Sequence, residues 1–195
     1  MKIIFLDVDG VLNGYNFWNQ LGWLIVSKIN NNKIKGWYRN STEPFGIHTL
    51  KFRRLAKIVR KTGAKVVISS SWRRRLTQTP FEKMDKNELK FHNLCNKYNI
   101  DIYDITPYSA DGRRDKEILT WLAKFETDRM LSGRHDKNYK FVILDDERYD
   151  LECFVDKELV QTSSVKKDQM IKGRWRENTG LKNKHVRKAI KILNG

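Results

Sequence analysis

Lys2-Ile3-Ile4-Phe5-Leu6-Asp7-Val8-Asp9-Gly10-Val11-Leu12-Asn13 is the stretch on which the reading of this chain turns. Its apolar half is short, β-prone and halted by a turn signal, which predicts a buried parallel strand over residues 2–7. In an open parallel sheet, ligands bind beyond the carboxyl ends of the strands. Asp7 and Asp9 therefore emerge side by side at the mouth of a site, and Gly10 lets the backbone turn away with positive φ. Two acids this close repel unless a cation or a shared proton holds them. Mg²⁺ held by oxygen ligands meets that need.

Working outward, the same pattern recurs. Ala64-Lys65-Val66-Val67-Ile68 is a second buried strand, followed by Ser69-Ser70-Ser71-Trp72-Arg73. Asp101 to Ile105 is a short strand stopped by Thr106-Pro107, and Lys140 to Leu144 is a strand ending in Asp145-Asp146. Leu159 to Thr162 is a last, shorter one. Between them lie helical faces: Leu55, Ile58 and Val59 before Gly63; Phe91, Leu94, Cys95 and Tyr98; Ile118, Trp121, Leu122 and Phe125; and finally Val186, Ala189, Ile190 and Leu193. Cys95 lies on an apolar face and reads as a core thiol. Strands alternating with helices predict an α/β fold of three layers, α/β/α, around a central parallel sheet. Residues 14–48 break the rhythm. Asn30-Asn31-Asn32 suits a turn and Lys33-Ile34-Lys35 a returning strand, so a β-hairpin flap or small cap is expected there, with Trp23 and Ile25 inside it and Trp37 and Tyr38 free to stack on bases. The whole of 1–195 is expected to form one domain.

The chain has 195 residues, 39% hydrophobic and 32% charged, which suits a globular domain. No apolar run approaches the ~20 residues that span a bilayer, and no secretory signal is expected ahead of the first strand. The two cysteines, Cys95 and Cys153, are far apart, so a cytoplasmic setting is expected. Net charge is +16. Residues 51–75 hold ten Lys or Arg and no acid, and residues 161–195 hold ten more against Asp168 and Glu177. Such a field attracts polyanions, and nucleic acid is the expected partner. Arg73, Arg74 and Arg75 follow the second strand directly, where guanidinium groups can clamp a phosphate backbone. His48, His92, His135 and His185 show no ligand spacing.

Three strand ends thus carry Asp7/Asp9, Ser69/Ser70 and Asp145/Asp146, with Arg113, Arg114 and Lys116 at the start of a helix between the last two. This set suits phosphoryl transfer: a carboxylate nucleophile, a cation to cancel charge, a hydroxyl and a basic side chain for the transferring oxygens, and a second acid to move protons. A dinucleotide site fits poorly, because no GxGxxG follows the first strand. A receiver domain would place its acid pair after the first strand and a lone Asp after the third, the reverse of the order here.

These motifs resemble those of haloacid dehalogenase-like (HAD) phosphatases. Phe5 to Asn13 is similar to the first motif, Val66 to Ser69 to the second, and Ile143 to Asp150 to the fourth. Ser69 to Arg73, Arg114 to Leu122, Leu144 to Asp146 and Thr179-Gly180-Leu181 resemble the small HAD domains associated with RNA-repair proteins. The resemblance implies a Rossmann-like core, Mg²⁺ dependence and an aspartyl-phosphate intermediate. Asp7 would be nucleophile and metal ligand, and Asp9 general acid/base with its carbonyl on the metal. Ser69, or Ser70 in its place, would hold the phosphoryl group. Asp146 or Asp145 would complete the metal site, with Asp150 behind them. Arg114 or Lys116 would be the third-motif cation, and Gly10 would face the substrate. A phosphorylated RNA or DNA end is the implied substrate. The alternatives are a small-molecule phosphatase and a non-catalytic, basic nucleic-acid-binding module on the same scaffold.

Overall fold

The computed structural model of the chain describes residues 1–13, 25–26, 28–35, 46–134, 138–162 and 180–195. Five strands form one sheet, every pair parallel. They are β1 (Lys2–Leu6), β2 (Lys65–Ile68), β3 (Ile102–Ile105), β4 (Lys140–Asp145) and β5 (Leu159–Gln161), in the order β3-β2-β1-β4-β5. The sequence order reverses at β1, which makes its C-terminal end the switch point where open α/β sheets bind ligands.

Strand side chains alternate between faces, so a continuous apolar run serves two cores. Ile4 and Leu6 join Val66, Ile68, Val142 and Leu144 on one face. That face is covered by α1 (Thr49–Thr62), α3 (Lys86–Tyr98) and α5 (Asn183–Asn194), through Phe52, Leu55, Phe91, Leu94, Val186 and Leu193. Ile3 and Phe5 join Val67 and Ile143 on the other, beneath Ile118, Trp121, Leu122 and Phe125 of α4 (Arg114–Leu131). Full burial of a side chain such as Phe5 contributes about 1.5–3 kcal/mol. The three layers match the expected fold class. Cys95 is buried in the first core, and burial pushes its thiol up to about 12, as befits an inert core group.

Helix boundaries follow local chemistry. Gly63 ends α1 at φ 65°, and Asp85 caps α3 through a reciprocal capping box with Glu88. The turn before α5 is closed by His185, whose Nδ1 accepts the Lys182 N–H at 3.0 Å. Burial first, then the surrounding Lys184, Lys182, Arg54 and Lys188, lower its pKa to about 4. A histidine depressed in this way contributes stability that is complete above its ordinary value of 6.5 and is lost as pH falls toward 4. Urea unfolding at pH 7 and pH 4.5 should therefore show a smaller acid destabilisation in His185→Gln than in wild type. An unchanged difference would contradict the buried neutral histidine.

Most of the expected hairpin over 14–48, including Trp23, Trp37 and Tyr38, lies outside the described residues. Within it, residues 32–35 are helical, not the expected returning strand. The Asn31 side-chain oxygen accepts from the Lys33 and Ile34 N–H groups, at 2.9 and 3.2 Å, and so opens a helical turn. Ile25, expected inside the hairpin, is exposed. No helix among the described residues is long and apolar enough to cross a membrane.

Candidate active site

The strand register assembles the centre. Leu6 pairs with Ile68 on one side and Leu144 on the other. The next residues, Asp7, Ser69 and Asp145, therefore stand at one level at the carboxyl ends of their strands, with Asp145 still paired to Gln161 of β5. The Asp7 N–H donates to Leu144 O and the Ser69 N–H to Leu6 O, both at 2.9 Å. Carboxylate oxygens of Asp7, Asp145 and Asp146 lie within 4.8 Å of one another. Asp7 and Asp145 are buried and Asp146 half-buried.

Arg114 faces this group. Its Nη1 is 2.9 Å from Asp7 Oδ1 and 3.0 Å from Asp145 Oδ2, and it donates to the Ser69 carbonyl at 2.6 Å. Asp150 positions it by accepting the Arg114 backbone N–H at 2.7 Å, at the first residue of α4. Burial raises the Asp7 carboxyl above the usual range, with Arg114 acting against the rise. Asp145 is raised further, by burial and then by Asp7. Burial disfavours the Arg114 charge, but Asp145 and Asp7 outweigh it.

The donor set fits a hard divalent cation. Three carboxylates converge beside the Arg114 guanidinium, and oxygen ligands suit Mg²⁺. Asp145 is held at both oxygens: Oδ2 meets Arg114 and Oδ1 accepts the Glu147 N–H at 2.9 Å.

Asp9 stands apart from the three acids. Its carboxylate is exposed and held from two sides, by Trp72 Nε1 at 2.9 Å and Asn13 Nδ2 at 2.6 Å. Asn13 also takes the Gly10 N–H at 2.8 Å on its Oδ1, and its carbonyl accepts Lys51 Nζ at 2.8 Å. Burial, then Arg54, bring the Lys51 pKa down to about 8. Gly180 comes close enough that a Cβ there would lie 2.7 Å from Val11 O, so the return of the chain past this turn requires glycine.

The two serines divide. Ser70 Oγ donates to Asp7 and lies 3.4 Å from the Val8 and Trp72 N–H groups. Ser69 Oγ is buried with no hydrogen-bond partner among the described residues.

Several expected site residues sit elsewhere. Lys116 is exposed and paired with Asp111, and Arg113 with Asp115, which leaves Arg114 at the carboxylates. Gly10 adopts φ 68°, and its N–H is taken by Asn13 and its carbonyl by Thr162 Oγ1 at 2.8 Å, so both its backbone polar groups serve the turn. Arg73 is not a free phosphate grip. It is buried, paired with Glu117 at 2.7 Å, and donates to Ser70 O at 3.3 Å. Arg75 is tied to Glu88 at 2.6 Å and to Asp85. Of the three, Arg74 alone is exposed with no acidic partner among the described residues. They begin a six-residue helix, α2 (Arg73–Gln78), whose turn of about 100° per residue points neighbours in different directions.

Trp72, Asn13 and Glu117 were not anticipated as site residues. A buried indole N–H needs an acceptor, which is the only sequence signal for Trp72. An Asn three residues after an Asp-Gly turn is a side chain that can bond the local backbone.

A parallel sheet that collects these acids, a serine and an arginine at its switch point has the makings of a HAD-like domain. Residues 3–166 match the family model described as the HAD domain in Swiss Army Knife RNA repair proteins, and the chain belongs to that family. The match runs through 14–48 and ends before Thr179-Gly180-Leu181 and α5. No curated protein and no solved structure matched the chain.

Proposed function

We propose that this chain is a Mg²⁺-dependent phosphomonoesterase that works through an aspartyl phosphate on Asp7 and acts on phosphorylated nucleic-acid ends. The observation that carries the chemistry is Asp7 itself: a buried carboxylate at the junction of the acid cluster, the Arg114 guanidinium and the Ser69/Ser70 strand end.

An Asp7 oxygen attacks phosphorus and the bond to the leaving oxygen breaks, with Asp9 donating the proton that oxygen needs. Asp9 then takes a proton from water, whose oxygen attacks the same phosphorus. The acyl phosphate breaks, and Asp7 and inorganic phosphate are released. Arg114 favours the ionised form of Asp7 against the effect of burial and donates to the transferring oxygens; the buried Ser69 hydroxyl is a second donor. Asp7, Asp146 and the Asp9 carbonyl would hold Mg²⁺, with Asp145 beside them, and the ion would supply the charge cancellation that lets an anionic nucleophile approach a phosphate.

Support for a nucleic-acid substrate is the net charge of +16, the exposed Arg74, and the RNA-repair setting named by the family. A phosphate-release assay compares a nucleoside monophosphate with 3′- and 5′-phosphorylated oligonucleotides, with Mg²⁺ and with EDTA. Release is expected with Mg²⁺ only, with kcat/KM higher on an oligonucleotide and falling steeply with salt. Equal kcat/KM on mononucleotide and oligonucleotides at all salt concentrations would remove the nucleic-acid reading; release that survives EDTA would remove the metal.

Arg114 and Lys116 should separate cleanly in the same assay. Arg114→Ala should lower kcat/KM about 10²–10³-fold, the usual cost of a lost charge-stabilising donor, whereas Lys116→Ala should stay within about twofold, because its ammonium is exposed and its partner is a surface acid. Comparable losses would contradict the placement of Arg114.

A further inference from the structure

The loop from Thr106 to Arg113 joins the two sides of the proposed phosphoryl site. It starts beside β2, where the Thr106 N–H donates to Ile68 O at 3.0 Å, and it ends at Arg114. Tyr108 projects from it and is half-exposed. The Arg73 guanidinium carbon lies 3.6 Å from the centroid of its ring and that of Arg74 4.8 Å.

This seat is built, not incidental. Arg73 is 3% exposed, and its charge is answered by buried Glu117. The same Glu117 oxygen also accepts the Ser109 N–H at 3.2 Å, which ties the loop to the guanidinium beneath the ring. Arg73 reaches the Ser70 carbonyl, one residue from Ser69. A buried ion pair is costly to desolvate; here it holds an exposed aromatic ring in fixed relation to the serine–arginine pair. Beside that ring stands Arg74, an exposed guanidinium without an acidic partner among the described residues.

An aromatic face next to a free cation, close to a phosphoryl site, matches the repeating chemistry of a single-stranded polynucleotide: flat base, then phosphate. We propose that Tyr108, seated on Arg73, is the stacking platform for the base adjacent to the scissile phosphate, and that Arg74 holds the next phosphate of the strand. This rests on the nucleic-acid reading above and names the residues that recognise the strand.

The test uses Tyr108→Leu, Tyr108→Phe and Arg74→Gln in the full chain. Phosphate release is measured on an end-phosphorylated oligonucleotide and on phenyl phosphate. In parallel, quenching of a terminal 2-aminopurine is followed on binding to the same variants made in an Asp7→Asn background. Stacking on an aromatic side chain is worth about 5- to 150-fold per base. Tyr108→Leu should lower oligonucleotide kcat/KM in that range beyond any loss on phenyl phosphate, and should abolish the quenching. Tyr108→Phe should restore both. Arg74→Gln should flatten the log–log salt dependence by roughly 0.7, one single-strand contact. Equal losses on both substrates, or quenching that persists in Tyr108→Leu, would overturn the platform while leaving the phosphatase reading intact. If wild type releases phosphate from phenyl phosphate but neither binds nor cleaves any oligonucleotide, the nucleic-acid reading falls and the platform with it.

Discussion

Asp7→Asn is expected to reduce phosphate release by about 10⁴-fold or more while leaving the protein folded. The amide has nearly the same shape as the carboxylate but is not a nucleophile toward phosphorus, and loss of a nucleophile is the most severe of single active-site changes. Stability should not suffer. Asp7 is buried beside Asp145, and its pKa is raised chiefly by burial. A carboxyl raised in the folded state contributes stability that is complete below its ordinary 3.8 and lost as pH rises through the folded value. Without divalent metal, the variant should therefore unfold at a temperature equal to or above that of wild type at pH 7. Arg114 keeps Asp145 as a partner, so no cation is stranded. A variant that melts well below wild type would mean that Asp7 holds the fold together. Near-normal turnover would remove it from the chemistry.

Asp9→Asn should cost about 10²–10⁴-fold, the usual contribution of a positioned general acid. The effect should depend on the leaving group. An alkyl phosphate needs a proton on its leaving oxygen and should show the full loss in the first step; p-nitrophenyl phosphate needs none and should lose less. Geometry sharpens the expectation. Both Asp9 oxygens accept from N–H donors, Trp72 Nε1 and Asn13 Nδ2. An amide at position 9 sets its own NH₂ against one of them. Trp72→Phe removes a donor but keeps the acid, so it should give a smaller loss with the pH profile retained. If Asp9→Asn changed only the Mg²⁺ concentration needed for half-maximal rate, its part in proton transfer would be disproved.

The core of the fold was legible because β1 says so much. An apolar run with no polar interruption before Asp7 has to be buried on both faces, and that places helices above and below it. The parallel register then carries Asp7, Ser69 and Asp145 to one level, so the centre follows once three strands are recognised. The third-motif cation was open among neighbours, because Arg113, Arg114 and Lys116 have similar chemistry; only the helix start, with Asp150 fixing the Arg114 backbone, decides which one faces inward.

The arginine run was misleading for a physical reason. Charge density is visible in a sequence, but the acids that neutralise it come from distant positions: Glu117 for Arg73, Asp85 and Glu88 for Arg75. What looks like one phosphate clamp is two ion-paired arginines and one exposed guanidinium with no acidic partner among the described residues. The turn at Asn31 failed in a similar way. Lys-Ile-Lys alternates like a strand, but a side-chain oxygen that accepts two backbone N–H groups starts a helix instead. Trp72 and Asn13 act through hydrogen bonds to Asp9, a relation that no spacing rule encodes.

Asp7 as the site of a covalent phosphoryl group is the central claim, and chemical trapping tests it most directly. An acyl phosphate is reduced by borohydride, whereas a free carboxylate is not. Wild-type protein quenched during turnover with Mg²⁺ and substrate, reduced and digested, should yield a peptide in which position 7 reads as homoserine by mass spectrometry. The signal should vanish without substrate or Mg²⁺, and should strengthen in Asp9→Asn if breakdown slows more than formation. Conversion at another carboxylate, or none at position 7 while Asp7→Asn still turns over, would contradict the account.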